Sequence, residues 1–277
     1  MANKVSILDL QNKKTQRQRI TMVTAYDCPT AALVDRAGID VILVGDSLAM
    51  IVLGLPNTVA VTMEEMLHHC RAVARGAQRA LLVGDMPFMS YHADVQEAIR
   101  NAGRFLKEGG MDVVKLEGGL KMAPVARAIV DVGIPVMGHI GLTPQTISML
   151  GGLRVQGKDA AAAQQLIDDA LALQEAGCFA LVLEAVPNQL AKRITEQLRI
   201  PTIGIGAGPA CDGQVLITQD IVGAFERVVP KFVKQYADTY TPMLTALQQF
   251  KAEVESGVFP GPEHCLDVSD EALERLY

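Results

Sequence analysis

Apolar residues along the chain fall into short unbroken runs, and most of these runs are separated by a longer stretch with helical spacing. Runs near residues 20–25, 40–45, 80–84, 112–116, 134–138, 179–183, 201–205 and 214–218 predict eight strands. Thr62 to Gly76 and Asp94 to Glu108 read as helices, the second stopping at Gly109-Gly110. A strand that is apolar throughout is covered on both faces, which is the usual condition of a parallel sheet. An open doubly wound sheet and a closed barrel both meet it. Ionisable groups end at least five of the runs, and only a closed ring gathers so many ends in one place. The pattern therefore predicts an α/β chain folded as a single-domain (β/α)8 TIM barrel over residues 1–277. Val5 to Gln16 reads as an N-terminal helix closing the barrel floor, and Tyr240 to Ser256 as a late helix with apolar positions at Met243, Leu244, Leu247, Phe250 and Val254. The irregular stretch from Gly141 to Gly157 is the longest connection and a candidate lid.

Charge enters the runs where they stop. Leu43-Val44-Gly45-Asp46-Ser47 and Leu82-Val83-Gly84-Asp85-Met86 repeat one phrase, and Glu117, His139 and Glu184 close three further runs. An Asp in such a place is often the cap of the next helix. Against that, Asp46, Asp85 and Glu117 on one buried rim would repel unless a cation or protons lay among them. An all-oxygen set suits a hard divalent ion, and Mg2+ is the cation expected, since no His/Cys cluster competes for a softer metal. Lys115 and Glu117 are two apart on one strand and project to the same face, into the barrel. They form either a structural ion pair or a working one, in which Lys115 meets a substrate carboxylate or forms a Schiff base. Glu184 is the expected general base, because a carboxylate drawn from water toward apolar walls takes a proton more readily. A cap, or support of a metal ligand, is the plain alternative. His139 orients a metal-bound group, bonds a substrate oxygen, or is a packed histidine, while His68 and His69 read as surface or packing residues. Ile203-Gly204-Ile205-Gly206-Ala207-Gly208-Pro209 has the glycines of a phosphate turn without the lysine of a P-loop, and reads as close approach to a ligand without phosphate specificity.

The 277 residues, 49% hydrophobic and 20% charged, suffice for a large core. A net charge of −6 disfavours nucleic acid and anionic membranes as partners. No stretch approaches the ~20 apolar residues of a membrane-spanning helix, and Met1-Ala2-Asn3-Lys4-Val5 carries no leader pattern, so a cytoplasmic protein is expected. The five cysteines are odd in number and show no zinc spacing; they read as reduced thiols, with Cys211 in its Gly-rich setting the one of interest.

Six segments in order, Val23-Thr24-Ala25-Tyr26-Asp27, Val44-Gly45-Asp46-Ser47, Val83-Gly84-Asp85-Met86-Pro87-Phe88, Val114-Lys115-Leu116-Glu117-Gly118-Gly119, Gly138-His139-Ile140-Gly141-Leu142-Thr143-Pro144-Gln145 and Ile203-Gly204-Ile205-Gly206-Ala207-Gly208, closely resemble the ketopantoate hydroxymethyltransferase family. The resemblance spans nearly the whole chain and is weakest beyond Ser256. It implies transfer of a hydroxymethyl group from the co-substrate 5,10-methylenetetrahydrofolate to the oxoacid 3-methyl-2-oxobutanoate, giving 2-dehydropantoate on the route to pantothenate and coenzyme A. It also implies Mg2+ held by Asp46 and Asp85, with Glu117 bound directly or through water. By the same resemblance Ser47 and Lys115 bind the oxoacid, Glu184 is the base, and the assembly is a ring-like homo-oligomer, a decamer; Asp46, Asp85 and His139 are expected among the substrate-binding residues as well. Two rival readings are a Mg-dependent lyase or mutase of the phosphoenolpyruvate mutase and isocitrate lyase kind, and a ligand-binding barrel without catalysis.

Overall fold

In the computed structural model of the chain, residues 3–152, 154–226 and 229–276 are described. Two compact units are present, Met1–Thr218 with Pro230–Val233, and Gln219–Val229 with Lys234–Tyr277. The first holds β1 (Ile20–Thr24), β2 (Val41–Val44), β3 (Leu81–Asp85), β4 (Val113–Glu117), β5 (Val136–Gly141), β6 (Ala180–Glu184), β7 (Thr202–Ile205) and β8 (Gly213–Leu216). They pair in parallel and in chain order, and β1 pairs with both β2 and β8, so the sheet is a closed barrel and the open-sheet alternative is excluded. Each strand overlaps the apolar run that predicted it. The one marked difference is β5, which continues to Gly141 and so takes His139 into the strand.

Alternate residues of the strands fill the ring. Ile20, Met22, Val41, Leu43, Leu81, Val83, Val113, Met137, Ala180, Val182, Ile203 and Val215 belong to one buried cluster. The two-residue period of a strand continues this inward face upward, from Val83 to Asp85, from Val113 to Lys115 and Glu117, from Met137 to His139, and from Val182 to Glu184. The barrel's apolar lower layers thus set the direction of its charged upper layer.

The floor is closed as the sequence predicts. Helix Ile7–Thr15 starts at a capping box between Ser6 and Asp9, and its wholly buried Leu10 enters the same cluster with Phe179. Three lysines of the N-terminal segment reach aspartates lying just before even-numbered strands: Lys4 to Asp112 at 2.8 Å, Lys13 to Asp40 at 2.6 Å and Lys14 to Asp212 at 2.7 Å. Each aspartate also accepts a backbone N–H from the neighbouring odd strand, at Leu82, Thr21 and Thr202 respectively. Each of these N–H groups lies one residue before the first pair of the ladder with that even-numbered strand, and a carboxylate satisfies it more strongly than water would.

In the second unit, Tyr240–Ser256 is helical as predicted and ends at Gly257 in the left-handed conformation, φ 74°. Its residues are not buried, and the Phe250 and Phe259 rings meet at 5.5 Å. Among the described residues, no helix is long and apolar enough to cross a membrane.

Candidate active site

Strand register assembles the charged layer. Asp85 stands opposite Lys115, Glu117 opposite His139, and Glu184 opposite Gly141. Gly141 has φ 94°, and a Cβ there would lie 2.2 Å from the Glu184 backbone oxygen, so only glycine lets β5 and β6 approach at this level. Lys115 Nζ donates to Asp85 Oδ1 at 2.7 Å and lies 3.7 Å from Glu117 Oε1. His139 bridges two carboxylates, with Nδ1 3.3 Å from Glu117 Oε1 and Nε2 3.3 Å from Glu184 Oε2. Neither contact has the direction of a hydrogen bond, so the bridge is one of charge. Asp46, in the turn after β2, donates its backbone N–H to Asp85 Oδ2 at 3.2 Å.

The helix-cap reading fails for both aspartates. Ser47, not Asp46, precedes helix Leu48–Ile51, and it makes no capping bond; its hydroxyl shares a 2.8 Å hydrogen bond with the Tyr26 hydroxyl. Asp85 is engaged by Lys115 on the adjacent β4 and by the Asp46 N–H just beyond β2. Asp46, Asp85, Lys115, Glu117 and His139 are all buried, whereas the Glu184 side chain is 19% exposed and is the most open of the group.

The electrostatics are lopsided. Burial, reinforced by the charges of Asp85 and Glu117, pushes the Asp46 carboxyl well above the usual carboxylate range, against Lys115 and a Gln145 hydrogen bond that pull it down. Burial also raises Asp85, offset in part by Lys115. For Glu117 burial acts upward too, but His139, Lys115 and the Gln145 N–H prevail and leave it below the usual range. Burial and Lys115 act to lower His139, yet Glu117 and Glu184 win and raise it to about 9. The carboxylates around Lys115 likewise outweigh its burial and hold the amine protonated. A Schiff base needs a free amine, so this setting favours the ionic role of Lys115.

The donor set fits Mg2+. Among the described residues no group of three or more His, Cys, Asp or Glu side chains is placed to hold a metal ion by itself. Mg2+ asks for less, commonly one or two carboxylates with water and substrate oxygens completing the octahedron. Asp46 is a buried carboxylate with no ion-pair partner among the described residues, and its ionised form is unfavourable without a cation beside it.

Two residues of the site escape sequence reasoning. Gln145, in the short 3-10 turn Pro144–Thr146 of the candidate lid, is buried and donates from Nε2 to Asp46 Oδ2 and to the Met86 carbonyl, each at 2.9 Å. Tyr91 donates to Gln145 Oε1 at 2.7 Å and accepts the Glu117 backbone N–H at 3.0 Å. A lone polar residue in a loop has no period to betray it; the signal available was an amide in a connection leaving a strand that carries His139. The rest of the lid includes helix Ile147–Leu150, with Met149 strongly exposed, and Leu153 lies outside the described residues. The glycine string serves the chain's own packing: a Cβ at Gly208 would lie 2.4 Å from Asn188 Oδ1, and one at Gly206 2.9 Å from the Phe232 ring. Cys211 is buried, and burial raises its thiol away from reactivity. His69 faces the Tyr26 carbonyl at 2.6 Å as a packing residue.

A family model described as ketopantoate hydroxymethyltransferase matches residues 4–262. The chain is 58% identical to the 3-methyl-2-oxobutanoate hydroxymethyltransferase of Heliobacterium modesticaldum over 277 residues, all of both chains. It is 53% identical to that of Syntrophomonas wolfei over 274 residues, 99% of each. Among solved structures, phosphonopyruvate hydrolase superposes with TM-score 0.61 at 12% identity, covering 98% of this chain and 94% of that one. For 2,3-dimethylmalate lyase, a member of the phosphoenolpyruvate mutase/isocitrate lyase superfamily, the TM-score is 0.59 at 14% identity, covering 97% and 93%. These structural likenesses concern the fold alone. With the family model spanning nearly all of the chain and relatives matching end to end, the chain belongs to the ketopantoate hydroxymethyltransferase family.

Proposed function

We propose that this enzyme converts 3-methyl-2-oxobutanoate, 5,10-methylenetetrahydrofolate and water to 2-dehydropantoate and tetrahydrofolate, in the supply of pantothenate. The observation that supports this chemistry most directly is the juxtaposition of a partly open carboxylate, Glu184, with a buried oxygen-donor rim, joined through His139. Asp46 and Asp85 would hold Mg2+, and Glu117 would reach it directly or through water. Bound there, Mg2+ supplies Lewis-acid polarisation of an α-oxoacid's carboxylate and carbonyl oxygens.

Glu184 takes the C3 proton, and His139, charged at neutral pH, holds its carboxylate through the 3.3 Å contact of Nε2 with Oε2. Lys115 and Ser47 meet the substrate's oxygens, Lys115 contributing a fixed positive charge and Ser47 a hydroxyl already oriented by Tyr26. Water hydrolyses the two C–N bonds of the folate's methylene bridge, releasing tetrahydrofolate and a carbon at the oxidation level of formaldehyde. C3 bonds to that carbon as its C=O bond opens, and the resulting alkoxide takes up the proton that Glu184 removed, giving the hydroxymethyl group. C3 bears two methyl groups, so the product has no second acidic proton there and transfer stops after one round. A ring-like decamer and a cytoplasmic location belong to the same proposal.

The test is solvent-deuterium exchange into 3-methyl-2-oxobutanoate without folate. Wild type should exchange the C3 proton only with Mg2+, and Glu184→Gln should lower the rate about 10²- to 10⁴-fold while still binding Mg2+ and oxoacid. Exchange at the wild-type rate in Glu184→Gln would remove the base from the proposal. A wild type that exchanges nothing with Mg2+ present would favour a barrel that binds without catalysis, and cleavage or rearrangement of oxoacids in place of folate-dependent transfer would favour the lyase or mutase reading.

A further inference from the structure

We propose that Gln145 is a positioning residue for the proposed metal site, and that Tyr91 sets the orientation in which it works. This rests on the assignment of Asp46 and Glu117 to that site. The hydrogen bonds run in a closed circuit: the Glu117 N–H donates to the Tyr91 hydroxyl, Tyr91 donates to Gln145 Oε1, and the Gln145 backbone N–H returns to Glu117 Oε2 at 3.1 Å. From this circuit the amide nitrogen reaches out to Asp46 Oδ2 and the Met86 carbonyl.

Every direction in the circuit is forced. The Met86 carbonyl can only accept, so the amide nitrogen faces it and Oε1 faces Tyr91. The Tyr91 hydroxyl already accepts from Glu117, so its proton goes to Gln145 at 2.7 Å in preference to the Glu117 carbonyl at 3.3 Å. The second amide proton is left for Asp46, which must therefore offer Oδ2 as acceptor. Gln145 thus engages one oxygen of Asp46, leaves Oδ1 for a cation, and couples that rotamer to the Glu117 carboxylate on a different strand. An apolar side chain would fill the same space without this effect. Partners that orient a metal ligand typically contribute about 10- to 100-fold in metal affinity or activity.

Gln145→Met removes the amide at nearly constant volume and keeps the backbone N–H bond to Glu117. Calorimetric titration of Mg2+ in the presence of 3-methyl-2-oxobutanoate should show binding about 10-fold weaker than wild type or worse, and in the exchange assay the Mg2+ concentration for half-maximal rate should rise more than kcat falls. Tyr91→Phe should weaken Mg2+ binding about 3-fold or more, and the loss in the double variant should be smaller than the product of the two single losses, because both changes break the Tyr91–Gln145 bond of one circuit. A residue that only supports the fold would lower kcat through the folded fraction and leave the Mg2+ dependence unmoved. Wild-type Mg2+ affinity in folded Gln145→Met, or independent multiplying losses in the double variant, would overturn the inference. Should Gln145→Met not fold, Tyr91→Phe carries the test alone, and unchanged Mg2+ affinity there overturns it. Absence of Mg2+ binding in wild type would instead overturn the metal assignment, and this inference with it.

Discussion

The two ends of the barrel handle carboxylates in opposite ways. At the floor, Asp40, Asp112 and Asp212 each have a lysine of their own and a backbone N–H to satisfy. At the rim, Asp46, Asp85 and Glu117 share Lys115 and His139, and Asp46 is left with a neutral amide. One end is neutralised by the protein itself; the other crowds carboxylates in a buried place, where an unpaired charge is costly and Asp46 is driven toward its protonated form. A fold tolerates such crowding when something outside the chain completes it. The floor shows that this sequence can pair an aspartate when nothing else is required of it.

The sharpest way to break the comparison is to delete one carboxylate from each end. Asp85→Ala leaves Lys115 buried with Glu117 alone at 3.7 Å, and should destabilise the fold by about 3–5 kcal/mol in chemical denaturation and abolish Mg2+-dependent exchange. Asp212→Ala removes the acceptor of Lys14 and of the Thr202 N–H and hydroxyl, and should cost about 1–3 kcal/mol with exchange per folded molecule unchanged. Loss of exchange in Asp212→Ala would mean that the two ends are not separable.

Much of this contrast is legible in the chain, for a physical reason. A strand buried on both faces must be apolar, so each ionisable residue at its end stands out, and the two-residue period settles the direction of Lys115 and Glu117 before any contact is known. The pairing of Asp85 with Lys115, and the bridge of His139 between Glu117 and Glu184, depends on barrel register, which no local pattern encodes. Gln145 lies 99 residues from Asp46 and 54 from Tyr91, in a connection whose composition reads only as a loop. The floor aspartates carry a weaker signal: Asp40 and Asp112 sit at the very start of predicted runs and Asp212 just ahead of one, a position that also suits a loop residue.

A smaller effect has the opposite sign. At pH above the raised Asp46 value, Asp46→Asn removes the repelled charge yet keeps an oxygen for Gln145, so the metal-free protein should gain about 1 kcal/mol, or about 2–4 °C in Tm, while Mg2+ binding is lost. Destabilisation of metal-free protein by this change would place the repulsion elsewhere.

Acid titration extends the contrast. Asp46 has a folded value raised above 3.8, so its contribution is fully present below 3.8 and is lost as pH rises through the raised value. Asp40 is the reverse. Burial acts to raise it, but Lys13 and Thr21 prevail, so its contribution is present above 3.8 and is lost as pH falls through the lowered value. The Asp46 contribution to the Tm of metal-free protein should therefore be lost as pH rises through its raised value, and the difference in Tm between Asp46→Asn and wild type should grow in favour of the variant over that rise. Because a bound cation needs the ionised carboxylate, the Tm increase given by Mg2+ should grow with pH over the same range. A Mg2+ shift independent of pH would remove Asp46 from the ligand set.

The least effect is expected from the floor lysines, and their order is the finest test of the comparison. Side-chain exposure of lysine and aspartate is 16% and 16% for Lys14–Asp212, 27% and 9% for Lys13–Asp40, and 41% and 33% for Lys4–Asp112. Water screens the last pair most, and an exposed pair contributes about 0–1 kcal/mol. Replacing each lysine by methionine keeps much of the stem's packing and deletes the charge. The loss of stability should be smallest for Lys4→Met and larger for the other two, each leaving its aspartate with the strand N–H as partner, and exchange should be unaltered throughout. If Lys4→Met proved the most damaging, burial would not be what sets the worth of these pairs, and the same reasoning applied to the rim would lose its footing.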